Sequence, residues 1–463
     1  MDRGAVSLQA ELRQKVSEIR QIVTVYEWIV DAYIVDFFQE NHWSNLPASW
    51  AQCLAGVSIR QLPELLRSDS RHTEVTVWPL AMLALRSLFH RLELPRGRHQ
   101  AVADAGAPEC VFQRQAALFR KSVKLKKRHE IEQFAVSCRH ETVNRRCHAL
   151  VDIGSGQGNL ARALAYGYGL RVCCIEQNGT FVQAARAKDV KLWKRLVRIE
   201  PKVTDTLAHP VHVHETVDLE HIEPERFVRM LRTALNVREG DEFRFGLVGL
   251  HPCGDLAPSL LRLFLACRDC TSVQLVCCCY MKLSCVRASP GPLKVDYGFP
   301  LSNLGRKTRL SLSYQAREIA CHANEQYSDR LVENYQELKI HAYRAAIECI
   351  IVRLRPDLKH SGLRGGIKAA QVSFEQYCWR AVDGLDLTVP SDEIHSPEVH
   401  HRLERWEEVV KFYTLRLMFA PLLESLILYD RWLFLLEKGV NAKIGVLFDP
   451  RASPRNHSII AFK

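Results

Sequence analysis

The sequence predicts an α/β fold: a doubly wound, mostly parallel Rossmann-like sheet, with an N-terminal helical domain before it and an insertion after its fifth strand. Two observations carry this. The first is the buried-strand pattern His148 to Ile153, followed by Gly154, Gly156 and Gly158 and by an alanine-rich helical stretch from Leu160 to Ala165. Strand, glycine turn, helix is the opening unit of a nucleotide-binding α/β sheet. The second is the run Arg171 to Ile175, which reads as the next strand and closes on Glu176, 18 residues after Gly158. A carboxylate at that strand tip has two acceptor oxygens and can take both ribose hydroxyls of an adenosine.

The glycine spacing separates ligand classes. A dinucleotide fold uses G-x-G-x-x-G to set a pyrophosphate on a helix N-terminus. Here Asp152 precedes Gly154-x-Gly156-x-Gly158, with Asn159 next. This D-x-G-x-G-x-G form resembles motif I of the class I S-adenosylmethionine-dependent methyltransferases. The resemblance implies that Asp152, Gly154, Gly156, Gly158 and Asn159 hold the methionine end of S-adenosyl-L-methionine, and Glu176 its ribose.

Composition sets the bounds. The chain has 463 residues, 47% hydrophobic and 25% charged, which is globular and long enough for two or three domains. A net charge of +11 and a pI near 8.9 are compatible with an acidic partner such as RNA without demanding one. Sixteen cysteines, several inside strand patterns, read as small apolar residues in a reducing compartment. No signal peptide is read at Met1, so the expected location is cytoplasmic or nuclear. The apolar stretch Leu415 to Leu436 offers a membrane-associated alternative, but Arg416, Pro421, Glu424, Asp430 and Arg431 within it favour a core helix.

In chain order, residues 1–120 read as helical, from the spacing of Leu8, Leu12, Val16, Ile19, Val23, Tyr26 and Val30. The dense run Val25 to Phe38 predicts a helix buried on more than one side. Further helices are expected over 48–54 and 78–90. A basic run, Lys121, Lys124, Lys126, Lys127 and Arg128, precedes the first strand and reads either as a phosphate-contacting segment or as a solvated helix face. Residues 121–283 form the first part of the sheet domain, with later strands at 211–214, 245–250 and 272–279. Residues 284–400, including the loop Ser289 to Pro292, are the insertion, a natural substrate-recognition module beside the crevice. Residues 401–463 complete the domain: a long helix over 396–438, a sixth strand at 443–450, and a seventh, antiparallel, at 458–462.

The fourth strand ends in His251-Pro252-Cys253-Gly254-Asp255, where the crevice of a parallel sheet lies. His251 and Asp255 are candidate bases or, alternatively, helix caps; Tyr280 and Lys282 join them at the rim of the acceptor pocket. Methyltransferases that attack exocyclic adenine nitrogens carry N-P-P-Y or D-P-P-Y here, so adenine dimethylation is not expected. No metal is expected either. His209, His212 and His214 lack a completing ligand, and Cys277, Cys278 and Cys279, although they follow Cys267-x-x-Cys270, should alternate across a strand and not face one ion.

Together, Lys126 to Glu130, Asp152 to Leu160, His251 to Leu256, Cys278 to Leu283 and Ser453 to Asn456 resemble the methyltransferase-like 25 family. The likeness covers most of the chain and implies methyl transfer. A more distant likeness is to the eukaryotic tRNA 2′-O-methyltransferases of the acceptor stem, whose C-C-H-H stretch appears here as Cys278-Cys279-Tyr280-Met281 without the histidine pair. The expected activity is methyl transfer to an acceptor that is RNA. The alternatives are a protein acceptor, or an inactive cofactor-binding scaffold that acts through its helical N-terminal domain; any further protein partner is left open.

Overall fold

The computed structural model describes residues 3–66, 76–97, 111–121, 123–145, 147–201, 207–217, 223–285 and 298–463. The expected loop Ser289 to Pro292 lies outside them. The chain divides into two compact units: residues 1–17, 95–312 and 426–463 form one, and residues 18–94 and 313–425 the other. These boundaries differ from those read in the sequence. Most of the N-terminal helices and most of the insertion share a unit because their apolar faces pack on each other, a long-range pairing that composition does not encode.

The first unit holds a seven-stranded sheet: β1 (Ala149–Ile153), β2 (Val172–Glu176), β3 (Val211–His214), β4 (Phe245–Cys253), β5 (Cys270–Cys278), β6 (Asn441–Val446) and β7 (His457–Phe462). Their order is β3-β2-β1-β4-β5-β7-β6. β1 to β5 pair in parallel, and β7 runs antiparallel between β5 and β6. β1, β2 and the first five residues of β4 are buried throughout, which is why they read as unbroken apolar runs. The helices Leu125–Arg145, Asn159–Arg162 with the π-helical turn Ala163–Gly167 that continues it, and Gly179–Ile199 supply a shared core around Phe134, Leu164, Tyr166 and Leu196. In the same unit Asp430 is buried and accepts hydrogen bonds from the backbone of Leu301 (2.6 Å) and Ser302 (3.0 Å).

The second unit is helical. The dense run Val25 to Phe38 is not one helix. The first helix, Arg3–Val25, ends there; a single turn, Glu27–Val30, and a 3-10 turn, Ile34–Asp36, follow. The buried carbonyls of Ile29 and Val30, left open by the break, accept from the buried Arg416 guanidinium at 3.2 and 3.3 Å. A side chain far along the chain thus satisfies the break.

The expected single helix over 396–438 is also broken, into Pro397–Glu404, Trp406–Met418 and Ala420–Glu437. Pro421 has no N–H and its ring crowds the carbonyl four residues back, so the chain re-starts at Ala420. Among the described residues, Trp406–Glu437 is the one stretch long and apolar enough to cross a membrane, and 94% of its apolar window is buried inside the protein. Burial of that kind is what a core helix shows.

Candidate functional site

The cofactor turn follows β1 directly. Gly154, Gly156 and Gly158 have φ of 76°, 56° and 67°, left-handed values that glycine adopts without steric cost. At Gly156 a β-carbon would meet nothing within 4 Å, so the turn opens onto free space there; at Gly158 it would lie 2.8 Å from His212 Cε1. Glu176 closes the arrangement. Its Oε2 accepts from the Gly156 N–H at 2.8 Å and its Oε1 from the Asn178 N–H at 2.9 Å. Each oxygen keeps acceptor capacity for a ribose hydroxyl. A bare glycine turn and an acid tied to it form a cradle that fits a nucleoside with no phosphate. Asp152, on β1, is buried; burial first, then the nearby Glu176, raise its carboxyl to about 7, against the pull of Lys127.

Asn159 supports the turn from within. Its Oδ1 accepts from Arg162 Nη2 at 2.6 Å, and Arg162 also reaches the Gln157 carbonyl (2.8 Å) and Asp189 Oδ1 (2.9 Å). His212 Nε2 meets the other Asp189 oxygen at 2.7 Å. This buried Arg162–Asp189–His212 chain had no signal in the sequence, since three elements contribute one residue each. His209 bonds Tyr166 Oη (2.7 Å) and His214 the Gln177 carbonyl (3.1 Å), so they face separate partners.

The four residues expected at the acceptor rim divide into two pairs. His251 has φ +71° and its Nε2 sits 2.9 Å from Glu130 Oε2. Glu130 Oε1 accepts from Ser453 Oγ at 2.7 Å, and Lys126 Nζ lies 3.7 Å away. Burial works to raise the Glu130 carboxyl, but the hydrogen bond and charge of His251, with Ser453 and Lys126, bring it below the ordinary value. A carboxylate that orients an imidazole is the arrangement of a positioned base. Lys282 is exposed nearby.

Asp255 and Tyr280 are held differently. Asp255 stands at the N-cap of Leu256–Ala266 without capping it; its Oδ1 accepts the Ser284 N–H at 2.8 Å and pins the segment after β5. Tyr280 is only 1% exposed, with the guanidiniums of Arg431 and Arg455 over its ring at 5.7 and 5.8 Å. It packs in the core instead of lining the rim.

The alternation argument about the cysteines fails at one residue. Cys279 has φ +51°, which turns its side chain back to the side of Cys278. Both then meet Cys253 at the end of β4: Sγ···Sγ is 3.3 Å for Cys253–Cys278, 3.3 Å for Cys253–Cys279 and 3.6 Å for Cys278–Cys279. Hydrogen bonding by Cys278, against burial, and then by Cys279, with Lys282 and His251 near, brings the Cys253 thiol well below its usual range, while the same contact pushes Cys278 up.

A cavity of about 180 Å³ lies beside the glycine turn. Asn159 and Arg162 form part of its wall, Leu118 and Leu192 its apolar base, and Arg120, Lys121, Arg128, Lys188, Lys191 and Arg195 its cationic margin. Arg120 is paired with Glu132 at 2.7 Å. Lys121 and Arg128 of the basic run read in the sequence therefore line the same cavity as Asn159, the residue after the glycine turn.

Strand order, the antiparallel β7 and the glycine turn with its acid define a class I methyltransferase domain, and residues 126–286 match the family model described as a methyltransferase domain. S-adenosylmethionine is the cofactor of that class. The chain is similar to the probable methyltransferase-like protein 25 of Mus musculus, with 33% identity over 224 residues that cover 47% of this chain. The Homo sapiens protein of that name is 33% identical over 225 residues, again 47% of this chain. The chain spans 37% and 36% of the length of these two relatives. Among solved structures, it is similar to magnesium protoporphyrin IX methyltransferase from Synechocystis PCC 6803 with bound SAM (15% identity, 35% of this chain and 71% of that one, TM-score 0.22). It is also similar to coclaurine N-methyltransferase bound to N-methylheliamine and SAH (10% identity, all of both chains, TM-score 0.24).

Proposed function

We propose that this chain transfers a methyl group from S-adenosylmethionine to RNA. The observation that carries the acceptor class is the cationic margin of Lys121, Arg128, Lys188, Lys191 and Arg195 around the cavity that Asn159 borders. Cations gathered at the edge of a cofactor turn suit a phosphate backbone, which such contacts position without reading its sequence. Among the described residues no two cysteines are joined in a disulfide, which fits work in a reducing, intracellular compartment.

When bound, the cofactor supplies a methyl group activated by its sulfonium. The chain's own residues do the rest. Asp152 and the glycine turn take the methionine end, and Glu176 takes the ribose. Displacement at a methyl carbon depends on alignment, so the rigidity of the turn and of its Arg162–Asp189 support is the main contribution. The acceptor must also lose a proton. With His251 Nε2 donating to Glu130, Nδ1 is the lone-pair nitrogen and takes that proton as general base.

The test begins with isothermal titration of S-adenosylmethionine, with Gly156→Arg as the control that fills the open cradle. Tritiated-methyl transfer into lysate follows, divided between RNase and protease treatment. RNase-sensitive label that Lys188→Glu with Lys191→Glu removes, while cofactor affinity is kept, supports the reading. Label that resists RNase and yields to protease overturns it in favour of a protein acceptor. Absence of any binding heat from a folded chain overturns it in favour of a scaffold.

A further inference from the structure

We propose that Cys253, Cys278 and Cys279 form a three-thiolate site for a soft divalent cation of the zinc type, at the C-terminal ends of β4 and β5. The three sulfurs lie 3.3, 3.3 and 3.6 Å apart, nearly an equilateral face. Zinc–sulfur bonds are about 2.3 Å, so tetrahedral thiolates around one ion stand roughly 3.8 Å apart. The cluster needs only a slight expansion to accept it.

Two backbone irregularities build this face, and neither follows from sheet pairing. β4 and β5 shift register between Leu250 and Cys253, after His251 has taken φ +71°. Cys279 then takes φ +51°, which reverses the alternation that would have sent it away from Cys278. Non-glycine residues in left-handed backbone are strained and persist where surroundings hold them. Gly254, φ +56°, lets the two turns close: a β-carbon there would lie 2.9 Å from both the Lys282 carbonyl oxygen and Lys282 Cβ.

A metal suits the trio better than a disulfide does. A disulfide uses two sulfurs and leaves the equivalent third unexplained. Cys278 and Cys279 are adjacent in sequence, and Cys253 and Cys278 are directly paired across parallel strands. The site also has an outward side, since Cys253 is exposed. Among the described residues, the donor atoms that converge here are these three sulfurs. Three protein ligands with one open position is the pattern of a site that exchanges an outer ligand. Binding releases the thiol protons to solvent and involves no electron transfer.

The test is independent of methyl transfer. The full chain, purified without chelator, is analysed for zinc by mass spectrometry and titrated with Co²⁺, whose thiolate charge-transfer band reports sulfur ligation. One zinc per chain and that band are expected. Cys279→Ser and Cys253→Ser should each lower zinc occupancy at least tenfold with unchanged circular dichroism, while Cys53→Ser, in the other unit, should not. Apo protein with no charge-transfer band overturns the proposal, as does full zinc occupancy in Cys279→Ser. A disulfide among the three, found by peptide mapping of alkylated protein, would assign the cluster to thiol redox chemistry instead.

Discussion

Gly156 and Gly158 have nearly the same backbone, φ 56° and 67°, but different surroundings, and alanine at each should separate strain from clash. Placing a β-carbon in left-handed backbone costs about 1–2 kcal/mol at either position. At Gly156 the added carbon meets open space and that is the whole penalty. At Gly158 it would stand 2.8 Å from His212 Cε1, where carbon atoms normally keep roughly 3.5–4.0 Å. His212 cannot yield freely, because its Nε2 is bound to the buried Asp189 at 2.7 Å. Displacing it sacrifices a hydrogen bond to a charged group, worth about 1.5–3 kcal/mol. Gly158→Ala should therefore cost roughly 2.5–5 kcal/mol in all. Hydrogen exchange of peptides spanning 148–165 reads the local opening free energy directly. Equal protection loss in the two variants would refute the argument, since the His212 contact would then carry no weight.

Other outcomes follow from the same geometry. Asp189→Leu strands the buried Arg162 charge and should destabilise the unit by about 3–5 kcal/mol, measured as a urea midpoint shift; a near-neutral result would show that Arg162 finds water. Asp152, at about 7 when folded against 3.8 ordinarily, holds a proton between those values that the unfolded chain has released. Its contribution to stability is therefore fullest below about pH 4 and is lost as pH rises toward 7. A cationic ligand favours the ionised form, so S-adenosylmethionine titrated at pH 6 should displace a proton, seen as a dependence of the binding heat on buffer ionisation heat; no such dependence would count against it. Deleting residues 457–463 removes β7 from between β5 and β6 and should yield insoluble chain, checked by the soluble fraction on expression.

The sheet was largely legible because its inner strands are buried on both faces and so appear as apolar runs closed by glycine, histidine or acid. Glu176 was legible by its distance from the turn. What escaped is what depends on distant pairs. Glu130 and His251 are 121 positions apart, and nothing local marks them as partners. The tie from Asp255 to Ser284 likewise crosses from one strand end to the next. The cysteine cluster escaped for another reason. Period-two alternation is a sound rule for regular strands, but β5 ends at Cys278, and Cys279, the last of the three residues to which the rule was applied, lies just beyond it in left-handed backbone. Pro421 was visible in the sequence, and the break beside it was the more direct reading.

The position of β7 also bears on how the protein is made. β7 is the last of the seven strands to leave the ribosome, yet it lies inside the sheet, and β6 joins β5 only through it. Until residue 462 has emerged, the edge of β5 carrying Val273 and Leu275, both buried in the finished fold, lacks its partner. An unpaired apolar edge is a template for association between nascent chains. During synthesis, then, β5 is complete well before the strand that covers its edge, and the sheet closes only when β7 pairs between β5 and β6.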